Sequence, residues 1–176
     1  MALILLRHTR PAIAAGICYG RSDLDLAPGF KADADRLALS LPPVSRIVTS
    51  PLRRCARLAE HIGAARGLPV DPEPRLSEMD FGAWEGVAWD AIPRAELDAW
   101  AADFLHARPH GGETVAMLLA RVAAALSALA DAGGDTLIVA HAGVIKAALV
   151  AHGDKDGWEA RPAFGEIRRI DSVASR

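Results

Sequence analysis

Residues 2–8 decide the fold, and they are Ala2-Leu3-Ile4-Leu5-Leu6-Arg7-His8. Five apolar residues follow one another without a break, which predicts a short strand buried on both faces. A cation and an imidazole come directly after this run. Because open α/β sheets bind ligands at the carboxyl ends of their strands, Arg7 and His8 are predicted to face a binding crevice.

Strands and helices alternate along the rest of the chain. Further strands are predicted at 44–49, 68–74 and 135–140, and a last strand, antiparallel at the sheet edge, at 163–170. Helices are predicted at 31–41, at 51–66 with Ser50 as N-cap, at 93–105, from Val115 to Asp131, and at 142–151. This order predicts a three-layer α/β/α sandwich with a mainly parallel central sheet.

Composition narrows the class of protein. The chain has 176 residues, of which 51% are hydrophobic, and a formal net charge of −2. The length predicts one domain over residues 1–176, and the charge gives no sign of a nucleic-acid or anionic-membrane partner. The apolar run at residues 2–6 is too short for a membrane span. Cys18 and Cys55 form no CxxC pair, which favours a reduced, cytoplasmic setting without a disulfide framework.

Polar residues follow three of the predicted strands. They are Arg7-His8, Thr49-Ser50 and His141, and parallel strands bring such ends to one edge of the sheet. Arg54 lies in the first turn of the helix that follows Ser50, where a cation opposes the helix dipole unless an anion compensates it. Two imidazoles and two guanidiniums around one point predict a pocket for a dianion, namely phosphate.

These residue types also predict a reaction. A neutral imidazole can attack phosphorus and form a phosphohistidine, while flanking cations offset charge on the transferring oxygens. An alcohol leaving group then needs a proton, which a carboxyl group of the loop at 75–92 could donate. From this reasoning alone, Glu78, Asp80 and Glu85 are all candidates.

Five motifs in this order resemble the histidine phosphatase superfamily, the phosphoglycerate mutase-like group. They are Leu6-Arg7-His8-Thr9, Thr49-Ser50-Pro51-Leu52-Arg53-Arg54, Leu76-Ser77-Glu78 with Phe81-Gly82 and Trp84-Glu85-Gly86, Gly112-Glu113-Thr114, and Val139-Ala140-His141-Ala142-Gly143. The resemblance covers about residues 1–150. It implies that His8 is the phosphorylated nucleophile, that Glu78 is the proton donor, and that the phosphoryl group is bound by Arg7, Arg54 and His141.

The chain departs from the family pattern at Thr9, Arg10 and Ala14. The usual residues there are glycine, glutamate and asparagine, and these positions lie at the rim, where they bear on substrate recognition. Arg-His-Thr-Arg-Pro, followed by residues 16–20 and 23–26, resembles the α-ribazole phosphatase branch. This resemblance implies α-ribazole 5′-phosphate as substrate. The rim residues expected from it are Thr9, Tyr19, Gly20, Arg21 and Glu113.

Alternatives remain at several positions. For the function, the enzymatic alternative is another phosphatase or mutase of the superfamily. The non-enzymatic alternative is a catalytically silent phosphate-binding scaffold.

Asp80 and Glu85 are expected to cap loop amides, and Glu113 could serve the helix N-terminus instead of the rim. Trp89 and Trp100 are expected to pack rather than stack on substrate. No metal or cofactor is expected, because Pro109 disfavours a shared ligand face for His106 and His110, which are predicted at the surface.

Overall fold

The computed structural model of the protein describes residues 1–130 and 133–171. Within these residues, five strands form one sheet: β1 (Ala2–Arg7), β2 (Arg46–Thr49), β3 (Val70–Pro72), β4 (Thr136–Ala140) and β5 (Ile167–Asp171). Their order is β3-β2-β4-β1-β5. All neighbouring strands are parallel except β1 and β5, which are antiparallel. The predicted sheet with its antiparallel edge strand is therefore confirmed.

The same two ranges contain five α-helices: α1 (Phe30–Ser40), α2 (Arg53–Arg66), α3 (Arg94–Ala102), α4 (Val115–Ala130) and α5 (Ala142–Ala151). The predicted end of α4 at Asp131 lies outside the described residues. Short 3-10 helices occupy the loops at Pro74–Leu76, Gly82–Trp84, Trp89–Ala91 and Gly157–Glu159. None of the helices in the described part of the chain has the length and apolar character needed to cross a membrane.

Alternate residues of β1 pack on opposite faces of the sheet. Leu3 and Leu5 belong to one buried cluster, which includes residues of α4 and α5. Ile4 and Leu6 belong to another, which includes residues of α1 and α2. This alternation follows from the two-residue period of a strand. Both faces of the sheet are covered by helices, and the predicted three-layer sandwich is confirmed.

The start of α2 differs from the prediction. The Ser50 N–H donates to the Val139 carbonyl at 3.0 Å, so Ser50 still belongs to the β2–β4 ladder, and its hydroxyl accepts from the Leu52 N–H at 3.3 Å, before the helix begins. Leu52, in extended conformation, precedes the first helical residue, Arg53. The Ser50 N-cap prediction is therefore wrong. At the other end, Gly67 adopts a left-handed conformation with φ 66°, as expected for a C-terminal stop.

Candidate active site

Three strand ends bring polar side chains to the same edge of the sheet. Because β1, β4 and β2 run parallel and in register, the residues that follow them lie side by side. These residues are His8, His141 and Ser50. The rings of the two histidines have centroids 5.2 Å apart. The predicted convergence of the strand ends is confirmed.

Backbone contacts fix the orientation and tautomer of His8. Its Nδ1 lies 2.6 Å from the carbonyl oxygen of Thr9, and a carbonyl can only accept, so Nδ1 carries the hydrogen. The lone pair is then on Nε2. Burial, followed by the charges of Arg54 and Arg7, lowers the pKa of His8 from 6.5 to about 3. The ring is therefore neutral and available as a nucleophile at neutral pH.

The second histidine is fully buried. His141 Nε2 lies 2.8 Å from the Ser50 hydroxyl and 3.4 Å from Cys55 Sγ. Burial, followed by the charges of His8 and Arg54, lowers the pKa of His141 well below its ordinary value. Both imidazoles are therefore held neutral in the folded protein.

This arrangement makes stability depend on pH. Between pH 6.5 and the lowered pKa values of His8 and His141, the unfolded chain binds protons that the folded protein does not bind. The free energy of unfolding therefore falls as the pH falls through this window. His8, with a pKa of about 3, is expected to contribute about 2 kcal/mol of this change between pH 7 and pH 5, since one pKa unit corresponds to about 1.4 kcal/mol. His141 contributes in the same direction.

Urea unfolding at pH 7 and pH 5 measures this effect. The variant His8→Asn should lose about 2 kcal/mol of the pH dependence, whereas His106→Asn, at an exposed position, should retain it. Equal unfolding free energies at the two pH values in the unsubstituted protein would contradict the assignment of two buried neutral histidines.

Two guanidinium groups adjoin the histidine pair, and backbone carbonyls hold both. Arg54 is fully buried and donates to the carbonyls of Gly20 at 2.6 Å and Ser22 at 2.7 Å. Arg7 donates to the Pro162 carbonyl at 2.7 Å. The Nε atom of each guanidinium is buried without a hydrogen-bond partner among the described residues. Each arginine is thus oriented by the chain and still has an N–H group to offer an anion.

Carboxylate side chains accept hydrogen bonds from backbone N–H groups at the N-termini of α2 and α5, the helices that follow β2 and β4. The Arg53 N–H, at the start of α2, donates to Asp23 at 2.7 Å. The Gly143 N–H, in the first turn of α5, donates to Glu78 Oε2 at 3.1 Å. Arginine and histidine side chains, rather than these two amides, are therefore the groups available to an incoming anion.

Only one of the three candidate carboxylates lines the cavity beside His8, and it is Glu78. Asp80 accepts from the Gly82 N–H at 2.8 Å. Glu85 accepts from the backbone of Arg21, Ser22 and Phe81 and from the Ser22 hydroxyl. The expected loop-capping roles of Asp80 and Glu85 are confirmed, and Glu78 is the carboxylate placed to reach a ligand.

Glycine is needed where Glu78 meets α5. A Cβ atom at Gly143 would collide with the Glu78 carboxylate. Besides the bond to Gly143, the carboxylate accepts from the Met79 N–H at 2.9 Å through Oε1. Glu78 is largely buried, with 8% of its surface exposed. Its carboxylate is therefore fixed by two backbone donors on different segments.

A cavity of about 320 Å³ opens beside His8 and Glu78. Six aromatic side chains line it: Tyr19, Phe81, Trp89, Trp100, Phe104 and Trp158. Trp89 and Trp100 pack edge-on against Phe81, with centroids 5.7 and 6.2 Å away. They pack as predicted, and each also faces the cavity. The space next to the imidazole suits a flat, apolar group.

The expected rim residues occupy different environments. Thr9 is buried and orients His8, while the Tyr19 ring lies 5.3 Å from the Arg54 guanidinium carbon and lines the cavity. Gly20 is buried under the Met79 carbonyl, where a Cβ atom would collide. Arg21 is exposed, and Glu113 pairs with Arg121 at 2.6 Å. Among these five, only Tyr19 lines the cavity, and their roles in binding stay predictions.

The surface prediction for His110 is wrong. Only 3% of its surface is exposed, and its ring packs 4.8 Å from Trp84 and 5.8 Å from Phe81. The loop before α4 folds under these aromatics, which the local sequence around Pro109 does not reveal. His106 is exposed, as expected.

Two cations near the site were not predicted. Lys146 of α5 lines the cavity, and burial followed by the Arg161 charge lowers its pKa. In the sequence, only its position one turn after Gly143 indicated that Lys146 lies near the site. Arg121 of α4 donates to the backbone around Glu78. Within an alanine-rich helix it has no sequence signal that separates it from a solvated residue.

Comparison with known proteins identifies the family. The family model of the histidine phosphatase superfamily (branch 1) matches residues 3–163. The chain belongs to this superfamily. The resemblance carried by the five motifs is thereby confirmed, as is the enzyme class, a phosphoric monoester hydrolase.

Relatives within the superfamily differ in the substrates for which they are named. Glucosyl-3-phosphoglycerate phosphatase of Mycolicibacterium vanbaalenii is 34% identical over 167 residues, covering 85% of this chain and 72% of that protein. Adenosylcobalamin/α-ribazole phosphatase of Salmonella typhimurium is 32% identical over 154 residues, covering 82% and 76%. The crystal structure of α-ribazole phosphatase from Shigella flexneri superposes with a TM-score of 0.86 at 27% identity, covering 99% and 92%.

Proposed function

We propose that this histidine phosphatase hydrolyses phosphate monoesters through a phosphohistidine at Nε2 of His8. The observation that carries the proposal is the 2.6 Å bond from Nδ1 to the Thr9 carbonyl, which leaves the lone pair on Nε2 of a buried neutral ring. A neutral imidazole of this kind is a competent nucleophile towards phosphorus.

The first step is transfer of the phosphoryl group to His8. The Nε2 lone pair forms a bond to phosphorus, and the bond from phosphorus to the ester oxygen breaks. Arg7 and Arg54, with His141, bind the phosphoryl oxygens and offset their charge. Glu78 gives its proton to the departing oxygen, which leaves as the alcohol.

The second step is hydrolysis of the phosphohistidine. Water attacks phosphorus, the bond to Nε2 breaks, and Glu78, now a carboxylate, takes the proton of the water. Inorganic phosphate leaves, and both His8 and Glu78 return to their starting states. Every proton in this scheme is handled by a side chain of the chain itself.

For the alcohol, we propose α-ribazole, so that the substrate is α-ribazole 5′-phosphate. This compound is a ribose 5-phosphate that carries a dimethylbenzimidazole ring, and the aromatic cavity beside His8 suits such a ring. Two α-ribazole phosphatases are among the similar proteins.

The cytoplasmic setting expected from the two unpaired cysteines remains a prediction.

Lys146 favours a second candidate. A cation on the cavity wall could bind a carboxylate on the alcohol, and a relative at 34% identity is named for a phosphoglycerate ester. A phosphatase for carboxylate-bearing alcohols is therefore the alternative within the same chemistry.

Comparing kcat/KM for α-ribazole 5′-phosphate and ribose 5-phosphate tests the substrate, because the two differ only at C1, where the aromatic ring replaces a hydroxyl. We expect the ring to raise kcat/KM by about 10- to 100-fold, since burial of such a group contributes about 1.5–3 kcal/mol. Equal values would rule out the α-ribazole assignment. A higher kcat/KM for glucosyl-3-phosphoglycerate than for either would support the second candidate instead.

A further inference from the structure

The position of Glu78 depends on an irregular segment of backbone. Glu78 follows the 3-10 helix Pro74–Leu76 and precedes the one at Gly82–Trp84, so no strand or long helix carries it. A general acid must stay within hydrogen-bond reach of the atom that it protonates. Whatever fixes the backbone of this segment therefore controls the proton transfer.

Arg121 binds that backbone from α4. Its Nη1 donates to the carbonyls of Arg75 and Ser77, each at 2.6 Å, and its Nη2 donates to the carbonyl of Glu78 itself at 3.1 Å. The neighbouring Val122 of α4 is fully buried in the core. The guanidinium thus connects the segment to a helix that the core holds in place.

Glu113 fixes the guanidinium in turn. Its carboxylate accepts from Nε and Nη2 of Arg121 at 2.6 and 2.8 Å, which is the two-pronged geometry of a strong arginine–carboxylate pair. The backbone of Glu113 also donates to the Asp80 carbonyl at 2.9 Å. The Glu113–Arg121 pair therefore forms hydrogen bonds with the backbone on both sides of Glu78.

We infer that Arg121, held by Glu113, is a positioning residue for the proton donor Glu78. The inference rests on the proposed role of Glu78 as general acid. The Glu113–Arg121 pair is buried, with 6% and 16% of the side chains exposed. Burying a charged pair gives little net stability, whereas fixing a catalytic carboxylate requires the rigid contacts observed here.

Leaving-group dependence separates positioning from a general loss of folded enzyme. p-Nitrophenolate departs without a proton, whereas an alkoxide needs one. For Arg121→Met we expect kcat/KM for an alkyl phosphate to fall about 10- to 100-fold, and kcat/KM for p-nitrophenyl phosphate to fall less than about threefold. A merely structural role would lower both values by the same factor.

Arg66 provides a matched control. It also donates to backbone carbonyls, those of Ala38, Leu41 and Pro42, at 2.6–3.3 Å, but it joins α2 to the end of α1. Arg66→Met should leave the ratio of alkyl to aryl kcat/KM unchanged. Should Arg121→Met fail to fold, Glu113→Gln tests the same contacts with the backbone around Glu78. We then expect the same selective loss of kcat/KM for the alkyl phosphate, but a smaller one.

Glu78→Gln, measured alongside, separates failure of the inference from failure of the proposed function. A selective loss in Glu78→Gln combined with an unchanged ratio in Arg121→Met, or in Glu113→Gln where that variant replaces it, overturns the positioning role of Arg121. An unchanged ratio in Glu78→Gln overturns the general-acid assignment on which the inference rests. A selective loss in Glu78→Gln together with a selective loss in Arg121→Met, or in Glu113→Gln where that variant replaces it, supports both.

Discussion

Replacing His8 with alanine is expected to lower kcat for p-nitrophenyl phosphate by about 10⁴-fold or more, because loss of a covalent nucleophile leaves only binding and charge stabilisation. The substitution removes the histidine that lines the cavity and whose lone pair is on Nε2, while Arg7 and Arg54 keep their backbone partners. Phosphate should therefore still bind. Steady-state hydrolysis and isothermal titration with inorganic phosphate measure the two effects separately.

The phosphoenzyme provides an independent readout. Acid-labile, base-stable phosphate should appear on the unsubstituted enzyme after rapid mixing with substrate, and His8→Ala should show none. His61→Ala, at a histidine on α2 whose partner is Asp35, serves as a control and should keep both turnover and phosphoenzyme. Hydrolysis by His8→Ala near the original rate would show that another group is the nucleophile. A phosphate-binding scaffold would give no turnover in either enzyme.

The layered architecture could be predicted because the spacing of apolar residues over short stretches indicates strands and helices. Residues 2–6 and 137–140 are continuous apolar runs, and both lie in buried strands at the centre of the sheet. Parallel strands carry the residues after them to one edge, so the meeting of His8 with His141 followed from topology alone. Local propensity failed at Ser50, because α2 begins only at Arg53 and the serine hydroxyl accepts from the Leu52 N–H, ahead of the helix.

The contacts that complete the site come from distant segments and carry no local pattern. Arg54 is oriented by the carbonyls of Gly20 and Ser22, more than thirty residues away in the chain. Arg121 meets the backbone of Glu78 across 43 positions. A backbone carbonyl belongs to every residue type, so the sequence cannot indicate which one an arginine will find. Motifs therefore identified the reactive groups, whereas the structure supplies what orients them.

Glu78→Gln is expected to lower kcat/KM for alkyl phosphates by about 10²- to 10⁴-fold, the usual contribution of a general acid. Glutamine keeps the shape of the side chain, but its single oxygen can accept from only one of the Met79 and Gly143 N–H groups, which donate to different oxygens of the carboxylate. The missing proton is therefore reported by the selective loss for alkyl over aryl phosphates, not by the loss alone. For p-nitrophenyl phosphate, kcat/KM should change little, since that leaving group needs no proton.

Glu78 also acts in the second step, so Glu78→Gln tests the hydrolysis of the phosphohistidine as well as the protonation of the leaving group. Without a base to activate water, hydrolysis of the phosphohistidine becomes slow, so p-nitrophenyl phosphate should give a burst of one nitrophenolate per enzyme followed by slow turnover. Asp80→Asn is the matched control, because Asp80 caps the Gly82 N–H nearby and its amide can do the same. If Asp80→Asn lost alkyl turnover while Glu78→Gln kept it, the acid role would belong to Asp80. A burst confined to Glu78→Gln would instead tie both proton transfers to the carboxylate that α5 and the Met79 amide hold beside His8.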